Sequence, residues 1–432
     1  MDDSLKNTGT LPAGHQSTIR TVFAGLIGNV LEWFDFAVFG YFAGDIGAQF
    51  MPQSSAVAQK LMAFGVFAIG FLARPLGGIA LGMVGDRIGR RSLLTLSIGL
   101  MGCATLLMGL LPAYDRIGIA APLLLATMRL IQGFSLGGEF TGSMVYTTEQ
   151  ASPLLRGLVS SSTAVGTTIG FILGSASAWL VSRCFTPDFI SVWGWRLPFI
   201  GSILFCVVGW LLRRGISETA EGLKAAAARP PLWSSLAADW LPMLRTLGIV
   251  GMTNAAYYLT FTFAVDLRKG PAASGDGSSF LLANTLSLTA VLACKPLGGW
   301  LSDVLGRRRM MIGITAAVMA LVAVCWHLML HGGPESFIVG QVIMALPIGM
   351  ALGLQGAMVV EIFPLRTRVT SMSFAYSVTL ALAGGSAPLV STWLISISGN
   401  TMAPAFYIIA YGLLGLAIML PMKETNAISL DR

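Results

Sequence analysis

Six ionisable side chains interrupt otherwise apolar stretches of this chain: the acids Glu32, Asp35 and Glu139 and the bases Arg74, Arg129 and Lys295. Three against three permits internal neutralisation, which a low-dielectric surrounding favours because an unpaired buried charge loses its hydration without compensation. Glu32 and Asp35 stand within one helical turn of each other, so mutual repulsion is expected to keep one of them protonated. A carboxyl group held between burial and a like charge on one side and a cation on the other is poised to take up and release a proton. Glu139 follows Gly137-Gly138, whose missing side chains let a second helix or a solute come close. Asp35 and Glu139 are therefore the candidate proton sites, with Glu32 as the alternate. A guanidinium stays charged at any relevant pH, so Arg129 can hold a protein carboxylate or an incoming one, and competition for it would couple the two events.

The elements that must position these groups follow from composition. Of the 432 residues 55% are hydrophobic and 11% charged, and the mean hydropathy is +0.75; soluble domains carry roughly 25% charged residues, so a polytopic membrane protein is expected. Apolar runs long enough to cross a bilayer recur at 22–44, 61–84, 92–112, 120–147, 157–182 and 195–214, and again at 246–266, 278–301, 310–330, 336–361, 367–396 and 402–422. This predicts an all-α membrane protein of twelve transmembrane helices: a cytoplasmic tail over 1–20, a six-helix bundle over 21–214, a polar linker over 215–245 with Pro230-Pro231, a second six-helix bundle over 246–422, and a tail over 423–432. No signal peptide is expected at the N-terminus. Eighteen of the 27 Lys and Arg residues fall in the tails and even-numbered connections and five in the opposite loops, so both termini are placed inside.

The connections contain a repeat. Gly82, Asp86, Gly89, Arg90 and Arg91 recur 217 residues later as Gly299, Asp303, Gly306, Arg307 and Arg308, and the pair Glu149 and Arg156 recurs 212 residues later as Glu361 and Arg368. Similarity at half the chain length means two equivalent halves, an arrangement that secondary transporters use to rock about a central site. In each element the glycines allow a tight turn, and the Asp sits at a helix end where it can pair with Arg, or with N–H groups of the facing helix, and so latch the cytoplasmic side. The candidate gate comprises these residues, apart from Arg91 and Arg308, together with Arg87.

These loops resemble the signature of the major facilitator superfamily, over essentially the whole chain. Glu32-Trp33-Phe34-Asp35-Phe36, Arg74-Pro75-Leu76-Gly77-Gly78, Gln132-Gly133-Phe134-Ser135-Leu136-Gly137-Gly138-Glu139 and Trp193-Gly194-Trp195-Arg196-Leu197-Pro198-Phe199 resemble, more narrowly, the metabolite:proton symporter family. That family includes bacterial carriers for citrate, 2-oxoglutarate, shikimate and proline or glycine betaine, so the resemblance implies proton-driven uptake of a small carboxylate-bearing solute across the bacterial inner membrane. Arg129-Leu130-Ile131-Gln132-Gly133 resembles the fourth-span motif of proton-driven members, which implies that Arg129 and Gln132 act at the site. Gly166, Gly170 and Gly174 allow close helix approach, but the proline of the antiporter motif is lacking, which favours import.

Asn254, Tyr257 and Tyr258 at i, i+3 and i+4, and Gln355, could hydrogen-bond a substrate or pack as core. Lys295 reads either as a second carboxylate anchor or as a residue snorkelling from a helix end. As an anchor it leans toward an organic acid with more than one carboxylate, slightly ahead of a proline or betaine type of zwitterion. An enzyme would need a nucleophile with its base, a metal cluster or a cofactor loop; no Gly-x-Ser-x-Gly, His-Glu-x-x-His or P-loop pattern occurs. Neither cofactor nor metal is expected. The partners are protons, a small carboxylate or zwitterion and the lipid bilayer, with the monomer as functional unit; the formal charge of +7 is spread over short loops, which argues against nucleic acid.

Overall fold

A computed structural model describes residues 28–88, 90–213, 232–269, 277–426 and 430, without the side chains of 82–94, 139, 212, 213 and 232. The described chain is helical throughout. Its main helices are α1 (28–41), α2 (Ala56–Ile88), α3 (Arg90–Leu110), α4 (Ala120–Ser135), α5 (Glu139–Gln150), α6 (Arg156–Cys184), α7 (Ile203–Arg213), α8 (Trp240–Tyr258), α9 (Gly277–Leu305), α10 (Arg307–His331), α11 (Pro334–Ile362), α12 (Arg368–Thr379), α13 (Ala387–Ser398) and α14 (Ala403–Met419). Among the described residues seven helical stretches are long and apolar enough to cross a membrane, or eight if the bent pair Pro187–Gly194 and Arg196–Leu211 is one span. Leu76, Leu123, Val324 and Phe406 are each more than half exposed, an apolar outer surface suited to lipid.

Local chemistry explains most boundaries. Arg196 donates to the carbonyls of Gly109 and Leu111 at 3.2 and 2.5 Å, satisfying orphan acceptors around the C-terminal end of α3, and Arg268 does the same for Leu330 and Gly332 around the end of α10 at 2.5 and 2.6 Å. Among the described residues three helix interiors carry a proline, Pro75, Pro296 and Pro347, which is tolerated where neighbouring helices re-satisfy the backbone.

Several runs that read as continuous are broken. The stretch expected over 120–147 divides at 136–138 between α4 and α5, where Gly137 lies against the backbone of Arg74 and Gly78. The stretches expected over 246–266 and 367–396 each pass through a π-helical segment, Leu259–Phe263 and Leu380–Gly385. Hydropathy does not distinguish an α turn from a π turn, so these features were not visible in the sequence. Within the linker expected over 215–245, one helix runs from Leu232 to Ala238 and α8 begins at Trp240.

The two sets of helices meet along α6, α9 and α11 on one side and along α2, α5 and α12 on the other. Within the first set of helices α4 touches α2 so closely that a Cβ on Gly133 would stand 1.8 Å from the Gly70 carbonyl; in the second, a Cβ on Gly353 of α11 would stand 1.9 Å from the Lys295 carbonyl of α9. Small residues that let backbones meet are how apolar helices associate without a hydrophobic driving force.

Candidate functional site

The embedded charges of the first half form two ion pairs. Asp35 on α1 accepts from Arg129 Nη1 on α4, and both side chains are fully buried. Gln132 completes the cluster: its Oε1 accepts from Arg129 Nη1 at 2.9 Å, while its Nε2 donates to Asp35 Oδ1 at 3.1 Å and to Thr105 Oγ1 at 2.7 Å. The guanidinium lies over Phe36 and Phe39, 4.8 and 4.1 Å from the ring centroids, and its Nε and Nη2 have no hydrogen-bond partner. Glu32 is paired separately, with Arg74 of α2 at 2.5 Å, and Arg74 in turn sits 5.8 Å from the ring centroids of Trp33 and Phe71. The repulsion expected between Glu32 and Asp35 is thus relieved by a different arginine for each. Glu139 begins α5, and its side chain lies outside the described residues.

A small cavity of about 20 Å³ lies between the halves, lined from the first by Trp33, Phe140, Ala164 and Thr167 and from the second by Asn254, Tyr257, Lys295, Leu352, Gln355 and Tyr376. Four of the sequence candidates meet there: Asn254, Tyr257, Lys295 and Gln355. Lys295 is 1% exposed, which removes the snorkelling alternative, and its Nζ donates across the interface to the Ala164 carbonyl at 2.5 Å and to Thr167 Oγ1 at 2.9 Å. Gln355 Nε2 donates to Tyr376 Oη at 3.3 Å, while its Oε1 has no partner. Tyr258 does not line the cavity; it packs edge-on against Phe67, Phe71 and Phe171 behind it. Gln132 is likewise absent from the lining and serves the Asp35–Arg129 pair. Trp33, Phe140, Thr167 and Tyr376 were not singled out as ligand contacts; aromatic residues in apolar helices carry no local signal that separates a cavity wall from a core.

At one end of the interface the duplicated loops lock together. Asp303 of α9 accepts from the backbone N–H of Gly157 at 2.8 Å and of Leu158 at 3.0 Å, at the N-terminus of α6, and holds Arg307 at 2.9 Å. Free N–H groups and the positive end of the helix dipole make that terminus a natural seat for a carboxylate. Gly299 and Gly157 are needed for this approach, since a Cβ on either would fall within about 2.5 Å of the other's carbonyl oxygen. Gly306 turns the chain with φ 95°, in the left-handed region that favours glycine. The second repeat cross-pairs: Arg368 donates to Glu149 at 2.7 Å, and Arg156 approaches Glu361 at 3.6 Å. Glu361 is held further by Arg307 and by Thr425 Oγ1 at 2.8 Å. Of the remaining gate candidates, the side chains of Gly82, Asp86, Arg87 and Arg90 and the whole of Gly89 lie outside the described residues. The opposite end is closed by contacts that sequence reading missed: Lys60 pairs with Asp266 at 2.7 Å, and Lys269 donates to the Tyr41 carbonyl at 2.7 Å.

Two packed sets of helices with a cavity and loop latches between them have relatives among known proteins. Residues 21–221 match the family Sugar (and other) transporter, and residues 246–427 match the Major Facilitator Superfamily. The citrate-proton symporter of Klebsiella pneumoniae is 33% identical over 439 residues, covering 99% of this chain and 98% of that one. The chain belongs to the major facilitator superfamily. The glycine betaine/proline/ectoine/pipecolic acid transporter OusA of Dickeya dadantii is 31% identical, covering 94% of this chain and 83% of that one, and the proline/betaine transporter of Escherichia coli K12 is 30% identical with the same coverage. In fold, this superfamily member is similar to the partially occluded, inward-open xylose transporter XylE from E. coli, with a TM-score of 0.76 at 16% identity over 96% of this chain and 100% of that one. It is a multi-pass membrane transporter and not an enzyme, with relatives that include both citrate-proton symporters and proline/betaine transporters.

Proposed function

We propose that this transporter is a proton-coupled symporter that takes up a small carboxylate-bearing solute across the bacterial cytoplasmic membrane, working as a monomer of twelve spans with both termini inside. The observation that carries the reading is a cavity between the halves whose lining holds one charged side chain, Lys295, with contacts between the halves closing it at either end. The division of basic residues puts the Asp303 end in the cytoplasm and the Lys60 end outside.

Asp35 is the proton site of this mechanism, with Glu139 as a second and Glu32 as the alternate. When Asp35 takes a proton its charge disappears and Arg129 loses its counter-ion, so the contact between α1 and α4 must readjust. The same helix α1 carries Trp33 into the cavity wall, which links the protonation state to the shape of the solute site. Binding of a carboxylate at Lys295 compensates a buried cation, and the halves then exchange one closed end for the other.

Uptake by proteoliposomes with and without an inward proton gradient tests the proposal. Gradient-dependent accumulation of a carboxylate or zwitterion is the expected result. Equilibration alone identifies a facilitator, and absence of flux for every carboxylate offered overturns the reading.

A further inference from the structure

One pair of side chains belongs neither to the ion-paired centre nor to the latch. His327 and His331 stand at i and i+4 on the final turns of α10, which ends at His331, and both are exposed. Their rings lie face to face, with 4.3 Å between centroids and 25° between planes. His331 Nδ1 is 3.2 Å from the His327 carbonyl oxygen. A carbonyl can only accept, so Nδ1 carries the hydrogen and Nε2 of the neutral ring keeps its lone pair. Anchoring one ring nitrogen on a carbonyl while the other stays free is the usual way in which metal-ligating histidines are oriented. Two imidazoles one turn apart on a helix face can chelate one ion, since bonds of about 2.0–2.1 Å to each nitrogen are reached by small side-chain rotations. No group of three or more His, Cys, Asp or Glu suited to a metal occurs among the described residues, so water completes the shell of an ion bound at this pair. Imidazole ligands suit copper, nickel and zinc, whereas calcium and magnesium prefer oxygen.

The turn that carries this pair is also tied to the Lys60 end of the interface. Arg268 donates to the carbonyls of Leu330 and Gly332, on either side of His331, at 2.5 and 2.6 Å. Arg268 belongs to the short helix Ala264–Lys269, which follows the π-helical segment Leu259–Phe263. Two other residues of that helix reach the first half: Asp266 pairs with Lys60 at 2.7 Å, and Lys269 donates to the Tyr41 carbonyl at 2.7 Å. One helix thus joins the end of α10 to the clasp between the halves. From the stacked rings, the free lone pair and this connection we infer that His327 and His331 form a site for a divalent transition metal, and that the bound ion stiffens the end of α10 and holds the neighbouring clasp closed. This departs from the expectation, drawn from the sequence, that the chain binds no metal, because two histidines fall short of any zinc signature and their stacking is seen only in the fold. It depends neither on the identity of the solute nor on proton coupling.

The test uses the full chain, without an affinity tag, in lipid nanodiscs, with Cu²⁺, Ni²⁺, Zn²⁺ and Mg²⁺ as probes in calorimetry. Cu²⁺ is expected to bind most tightly, Ni²⁺ and Zn²⁺ to bind more weakly and Mg²⁺ not at all. His327→Ala and His331→Ala should each weaken Zn²⁺ binding by about 10-fold or more, at least as much as the loss of an outer-shell partner costs at other metal sites. Both side chains are exposed, so the metal-free variants should unfold at the temperature of the unaltered protein, and His331→Gln provides a second variant of closer shape. The clasp is read separately, by mass spectrometry of Lys60 acetylated with a membrane-impermeant amine reagent. Saturating Zn²⁺ should slow that labelling a few-fold in the unaltered protein and leave it unchanged in His331→Ala. Absence of Zn²⁺ and Cu²⁺ binding to the unaltered protein, or undiminished binding in the histidine variants, overturns the site. Metal binding that leaves the labelling of Lys60 unaltered overturns its coupling to the clasp. Neither result bears on the symporter reading, which the proteoliposome assay decides.

Discussion

The two halves of this transporter share their loops but not their centres. At the Asp303 end the duplicated Glu and Arg residues cross-pair, Arg368 with Glu149 and Arg156 with Glu361, so each half offers the other the same chemistry it receives. In the centre the first half closes its charges on itself, as Asp35 with Arg129 and Glu32 with Arg74, whereas the second half presents Lys295 to uncharged acceptors alone. A latch between two related halves brings equivalent surfaces together, so reciprocal pairing comes naturally from the duplication. A solute has no such symmetry, and neither does a proton site, so the centres are free to diverge, and in the proposed mechanism one half holds the proton and the other a carboxylate.

The largest effect that this contrast predicts is at Asp35. Asp35→Asn retains the side-chain size but cannot cycle a proton, so gradient-driven accumulation should fall to background while solute counterflow in proteoliposomes stays within a few-fold; unaltered accumulation would move the proton site away from Asp35. Arg129→Lys comes next. It keeps the charge but loses the planar fork that spans Asp35 and Gln132, and transport should drop about 10-fold or more; a normal initial rate of uptake would make Arg129 a structural counter-ion only.

The symmetry of the latch is itself testable, because its two glutamates differ in burial. Glu361→Gln removes one of the two carboxylates that neutralise the buried Arg307 and should destabilise the protein by about 3 kcal/mol, whereas Glu149→Gln, at a side chain 35% exposed, should cost under about 1 kcal/mol. Equal losses in thermal or denaturant unfolding would show that burial does not distinguish the halves. The smallest effect is expected at the opposite end. Lys60 is 27% exposed, so Lys60→Ala should change the apparent affinity for external solute only a few-fold, and the change should fade as salt is raised. A large or salt-insensitive effect would mean that this end is sealed as firmly as the other.

Much of the latch was legible because its parts are local and repeated. Gly299, Asp303, Gly306 and Arg307 announce a turn, a helix end and a charge within nine residues, and a lag of 217 ties them to a second copy. The identity of the Asp303 partner was not legible, since the receiving N–H groups belong to α6, more than a hundred residues away in the chain. Lys60 and Asp266 were missed for the same reason: each is an ordinary loop charge until the halves bring them to 2.7 Å. Tyr257 and Tyr258 are adjacent and alike in type, yet one lines the cavity and the other packs behind it, because neighbours on a helix point about 100° apart and only the docking of other helices decides which side is hollow.

Hydropathy, loop charge and repeat spacing belong to one segment at a time, and they were sufficient to specify an all-helical membrane protein in two related halves with buried charges at its centre. Pairing belongs to space. Asp35 and Arg129 are 94 positions apart and Lys295 and Ala164 are 131 apart, so which charge is neutralised by another, which meets only uncharged acceptors and where the helices leave a hollow were decided by packing alone. Burial raises the cost of every unmatched charge, which is why the partner, more than the residue type, assigns the role.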